Sequence, residues 1–165
     1  MLTRSIPLLG CFYVISVVGV ATAQSGVEAV RAYREGNEAA IVRDFAEMLT
    51  YPNRARDLAD VTRAAEYIRD RMQEAGIASR LLEVDDVPPV VLGEVRVPGA
   101  TRTLGLYAHY DGQPVDPANW TNPPFQPTLY TAAMDRKGLR RELPRDDERV
   151  DPEWRLYARS AGDDK

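Results

Sequence analysis

Apolar positions three and four apart in the first third of the chain give way to positions two apart in its middle. In 37–52, NEAAIVRDFAEMLTYP, the residues Ile41, Phe45 and Leu49 recur every four positions, which lays one apolar stripe along a helix that Pro52 stops. A second helix is predicted over DLADVTRAAEYIRDRMQEAGI, where Leu58, Val61, Ala65, Ile68 and Met72 repeat at three and four. Asp57 is placed to cap its start and Gly76 to end it. Both helices are read as cover for a core, with no chemistry of their own. Beyond Gly76 the period falls to two, and strands are predicted over 79–84 (SRLLEV), 90–97 (VVLGEVRV) and 102–108 (RTLGLYA). Pro88-Pro89 and Pro98-Gly99 separate them, and a further short strand is expected at Trp154–Ala158. Helices followed by strands predict an α/β chain, two amino-terminal helices packed on a mixed sheet. The run 102–108 is the least polar of the strands and is expected to lie in the sheet interior.

The amino terminus changes the compartment. MLTRSIPLLGCFYVISVVGVATAQ has a positive start at Arg4, an apolar run from Ile6 to Val20, and small residues at Ala21 and Ala23, the pattern of a secretory signal peptide. The run is about 15 residues, short of the roughly 20 that a membrane-spanning helix needs. Residues 1–23 are therefore expected to be removed by cleavage after Ala23, giving a secreted or periplasmic protein with no stable membrane span after cleavage. Leu8-Leu9-Gly10-Cys11 also fits a lipoprotein cleavage site, but the apolar run continues well past Cys11. Cys11 is the one cysteine of the sequence, so the exported chain, 24–165, has no disulfide framework. The formal net charge is −4, and arginines are interleaved with aspartates and glutamates instead of gathered into a stripe. Nucleic acid is thus excluded as a partner, because its binding needs a basic face.

The candidate chemistry begins where the third predicted strand ends. LYAHYDGQPVD, 106–116, runs straight into His109, the one histidine of the sequence, with Asp111 two positions on. Residues i and i+2 of an extended segment share a face, so the imidazole and the carboxylate can stand side by side. A metal-ligating imidazole usually donates its other N–H to a carboxylate or carbonyl, and His-x-Asp fits ligand plus orienter. A strand-end turn with an ordinary hydrogen bond is the competing and commoner use of such a pair. A second acidic site closes the chain in DPEWRLYARSAGDDK, where Asp163 and Asp164 follow a short strand. Paired carboxylates suit hard or borderline cations, and a solvated acidic tail is the alternative.

LGLYAHYDGQPVDPANWTNPPFQP together with DPEWRLYARSAGDDK resembles the amino-terminal signature of the di-zinc exopeptidase and deacylase family, which includes glutamate carboxypeptidase, carnosine dipeptidase, acetylornithine deacetylase and succinyl-diaminopimelate desuccinylase. The pattern of that family is a hydrophobic strand, G-H-x-D-V-Q-P, W-x-x-P-P-F and L-Y-G-R-G-x-x-D-D-K-G. The resemblance runs over about residues 38–165, the Tyr-Pro-Asn junction between the helices included. It implies that the fold is the first part of a di-zinc catalytic domain. It implies further that His109 is the ligand of one zinc, that Asp111 is the catalytic-site carboxylate holding that imidazole, and that Asp163 bridges two zinc ions. Asp164 and Lys165 match the positions just after the bridge. Trp120, Pro123, Pro124 and Phe125 match a loop expected to shape the site wall; an ordinary aromatic-proline turn is the competing reading.

The chain departs from that pattern in places. Ala108 stands where the family usually has Gly, Gly112 replaces Val, and Ala158-Arg159-Ser160 replaces Gly-Arg-Gly. The charged stretch RKGLRRELPRDDER, 136–149, is expected to form a solvated loop. The family takes its remaining ligands and its glutamate base from positions after the bridging aspartate, so the sequence is expected to be the amino-terminal fragment of a longer enzyme and inactive by itself. The activity implied for the parent is zinc-dependent hydrolysis of an amide bond beside a free carboxylate, in a peptide or N-acyl amino acid. Homodimerisation through a domain outside this chain is an expected possibility of the family. The alternative is a truncated or degenerate secreted α/β binding module without enzymatic activity.

Overall fold

The computed structural model describes residues 26–162. The predicted signal segment 1–23, Asp163, Asp164 and Lys165 lie outside the described residues.

Helix α1 spans Gly26–Met48 and so starts well before the periodic stretch that predicts it. The predicted stripe is buried only in part: Leu49, just past the helix end, is buried and Phe45 half-buried, whereas Ile41 is exposed and α1 buries Ala39 and Ala46 in its stead. Small alanines let a helix backbone approach its neighbours closely. Helix α2 spans Leu58–Glu74 and forms as its sequence dictates: an Asp57 side-chain oxygen accepts from the Asp60 amide at 3.1 Å, satisfying one otherwise orphaned N–H. At the other end Gly76 takes a φ of +78°, the left-handed conformation that ends helices at little cost when no Cβ is present. Val61, Ala64 and Ala65 are buried, and Tyr67 stacks on Tyr51 with ring centroids 4.5 Å apart.

The strands form two separate antiparallel sheets, which corrects the expectation of one mixed sheet. β1 (Ala78–Val84) and β2 (Val87–Glu94) make a hairpin against α2, turning at Asp85-Asp86 with Asp86 left-handed. Pro88 and Pro89 lie inside β2 instead of before it. An edge strand tolerates prolines because one row of its N–H groups needs no partner. The second sheet runs in the order β4 (Arg140–Arg141), β3 (Thr128–Tyr130), β5 (Arg155–Tyr157). Leu129 lies opposite Leu156 and is buried, and Tyr130 meets Tyr157 edge to face at 5.4 Å.

One expectation fails here. Residues 102–108 form no strand, and Leu104, Leu106 and Tyr107 are 83%, 90% and 90% exposed. An interior strand needs a paired backbone on both sides, and among the described residues no strand lies beside this one. The stretch 136–149 is, as expected, largely an exposed loop, and it is tied back to α1 at one buried point. Arg43 donates to the Pro144 carbonyl at 2.7 Å and pairs with Asp146, Pro144 is fully buried, and the Val150 amide donates to Glu38 at 3.3 Å. Arg141 lies 3.4 Å over the Trp154 ring and pairs with Glu148, whose carboxyl it holds below the usual range.

Candidate metal-ligating site

His109 follows the irregular segment 101–108, whose backbone makes no hydrogen bond to another described residue apart from the start of a turn beside it at Ala100. Its position is therefore set by what comes after it. His109 Nδ1 lies 3.0 Å from the Asp111 carbonyl oxygen and 3.2 Å from Asp111 Oδ1. The carbonyl oxygen only accepts, so Nδ1 carries the hydrogen, and in the neutral tautomer the lone pair is at Nε2. This is the side-by-side placement that the i, i+2 spacing predicts. It arises in a turn and not at the tip of a regular strand.

The turn itself is held from two sides. The Gly112 amide donates to the Asn53 carbonyl at 2.7 Å and the Ala55 amide donates to the Gly112 carbonyl at 2.9 Å, a small parallel bridge between 53–55 and 112. Arg54, in the middle of that bridge, reaches Asp57 at 3.0 Å and the buried Asp60 at 2.6 Å, so the start of α2 anchors the bridge. The Asp60 carboxylate raises the pKa of Arg54, which keeps the guanidinium charged. On the other side the Asn53 side-chain amide donates to the Tyr110 carbonyl at 2.7 Å and to Ser160 Oγ at 3.3 Å. Tyr110 itself donates its hydroxyl to the Pro89 carbonyl, and burial, helped by the Asp111 charge, pushes its pKa up to about 12.

Arg159 links the second sheet to this turn. Its amide donates to the Pro124 carbonyl at 2.6 Å and its Nε donates to the Gln113 carbonyl at 3.2 Å. The Trp120–Phe125 loop is thus fastened through the buried Pro124, while Trp120 is 37% exposed and Pro123 is at the surface. Asn53, Arg159, Ser160 and Tyr110 are the structural surprises of the site. The sequence cues were Tyr51-Pro52-Asn53, a helix stop followed by a turn former, and Ala158-Arg159-Ser160, where small residues stand at the expected close approach.

Asp163, the expected bridging carboxylate, and its neighbours Asp164 and Lys165 fall outside the described residues; Ser160 is held to Asn53 beside the His109 turn. Among the described residues no three His, Cys, Asp or Glu side chains come together to hold a metal ion. No helix among them is long and apolar enough to cross a membrane. No known protein family, curated protein or solved structure matches the chain.

Proposed function

We propose that His109 and Asp111 are a zinc ligand and its orienting carboxylate in a secreted or periplasmic metallohydrolase that cleaves an amide bond beside a free carboxylate. Peptides and N-acyl amino acids are the substrate class. The observation that carries this reading is the contact of His109 Nδ1 with the Asp111 carbonyl and carboxylate, which orients the ring and assigns the metal-binding role to Nε2. The donor set fits one arm of a zinc site: an imidazole, its carboxylate, and Asp163 as a second ligand on the adjoining segment. The catalytic form needs more ligands and a general base, and the sequence holds no other histidine to supply an imidazole. Bound zinc supplies Lewis acidity toward a scissile carbonyl. The role of this chain's own residues is to present Nε2, fix the ring plane and screen the turn through the Trp120–Phe125 loop.

The test uses the lone histidine, whose ring resonances identify themselves in an NMR spectrum. Zinc added to the chain should shift the His109 ring signals saturably, with an affinity weaker than micromolar because two protein ligands are fewer than the three of a catalytic zinc. His109→Ala should abolish the response. A ring that ignores millimolar zinc overturns the proposal and favours a non-enzymatic binding module.

A further inference from the structure

Asn53 lies 56 positions before His109 in the numbering of the chain, yet it is the residue that joins the two halves of the site. It is 5% exposed. Its Nδ2 points at the Tyr110 carbonyl, which can only accept, so the orientation of the amide is fixed. The same nitrogen reaches Ser160 Oγ, and its backbone carbonyl takes the Gly112 amide. Among the described residues Asn53 Oδ1 is buried without a hydrogen-bond partner, and it faces the α-carbon of Gly112. A Cβ on Gly112 would stand 3.0 Å from that oxygen, 3.1 Å from Ser160 Oγ and 3.4 Å from Arg159 Nη2. A side chain at position 112 therefore requires Asn53 and Ser160 to give way by a few tenths of an ångström. Ser160 adds an independent sign. It sits at a φ of +70°, where glycine would be unstrained, and its hydroxyl is the group that both Asn53 and Arg159 reach.

We propose that Asn53 is a positioning residue that clasps the His109–Asp111 turn to Ser160, and so fixes where the imidazole stands relative to the segment leading to Asp163. Its effect on zinc rests on the metal reading above; the clasp itself rests on the contacts. Asn53→Asp keeps the shape but replaces the donor with an oxygen that cannot donate to the Tyr110 carbonyl. It should move the His109 ring signals and weaken zinc binding by about 10 to 100-fold, the range for losing an orienting partner. Gly112→Ala should move the same signals by forcing the same groups apart. Ser160→Gly alone, which removes the hydroxyl that Asn53 reaches while relieving the positive φ, should also move these signals. Ala39→Gly, a remote helix weakening in α1, serves as the comparison for lost stability.

His109 signals that stay in place in both Asn53→Asp and Gly112→Ala overturn the clasp. So does an equal displacement in Ala39→Gly, or a Ser160→Gly variant whose His109 signals stay in place. If these signals move as expected while zinc leaves the ring of the unaltered chain untouched, the clasp stands and the metal reading falls.

Discussion

Two short apolar runs border the site-bearing stretch 109–127, and they end up opposite in structure. Residues 102–108 have the length and composition of an interior strand, yet stay irregular with Leu106 and Tyr107 facing solvent. Thr128–Tyr130 is three residues long and becomes the central strand of a sheet, with Leu129 4% exposed. Composition favours the first run. Neighbours favour the second, because β4 and β5 take the hydrogen bonds on both of its edges. A strand is thus a property of what lies beside it. The consequence for the site is an asymmetry: Ser160 extends from a paired sheet, whereas His109 is approached through an unpaired segment and depends on Asn53 for its placement.

The comparison breaks most sharply at Leu129. Leu129→Ala removes a buried side chain from between two strands and should cost about 2 to 4 kcal/mol in a denaturant unfolding experiment. A loss below about 0.5 kcal/mol would show that β3 owes little to its neighbours.

The legible parts of the molecule are those decided within a few residues. Asp57 and Gly76 mark the ends of α2 because a cap and a left-handed stop are local devices. His109 and Asp111 meet within a three-residue turn, close enough in sequence for the pair to be legible although the strand expected to present it does not form. Which row of α1 turns inward is not local: the alanine row wins over Ile41 through contacts made by other elements. Likewise the charged stretch 136–149 reads as the exposed loop it largely is, but nothing in it announces its tie to Arg43, far away in sequence. Asn53 and Ser160 are 107 positions apart, and no pattern along the chain announces a hydrogen bond at that separation. β3 is too short for a period of two to register.

A middle-sized effect is expected where the site turn touches the hairpin. Tyr110→Phe removes the bond from the Tyr110 hydroxyl to the Pro89 carbonyl and should cost about 0.5 to 1.5 kcal/mol, since the carbonyl loses its donor while the ring stays packed. The same hydroxyl sets an alkaline limit. Burial lifts Tyr110 from 10.0 to about 12, and burial followed by the Glu47 charge lifts Tyr67 to about 12. The folded chain then keeps protons that the unfolded chain releases. The stability they contribute is fully present below pH 10.0 and is lost as pH rises toward about 12. An ultraviolet titration of the eight tyrosines should show two late ionisations, and one in Tyr110→Phe. Eight tyrosines ionising together at the ordinary value, in chain that is still folded, would contradict this.

The smallest effect is expected on the irregular run itself, and it sharpens the contrast with Leu129. Leu106 is 90% exposed and the backbone around it is unpaired among the described residues, so Leu106→Ser removes almost no buried surface. Its stability should stay within about 0.5 kcal/mol of the original, the usual range for surface changes. Amide exchange supplies the matching measurement on the unaltered chain. The N–H groups of 103–108 should exchange close to the rate of unfolded peptide, while those of Leu129 and Tyr130 should be protected through their ladder to β4 and β5. Slow exchange across 103–108, together with a loss of 2 kcal/mol or more in Leu106→Ser, would mean that this run does find strand partners in solution. The imidazole of His109 would then be anchored from both directions, and the dependence of the site on Asn53 would be correspondingly weaker.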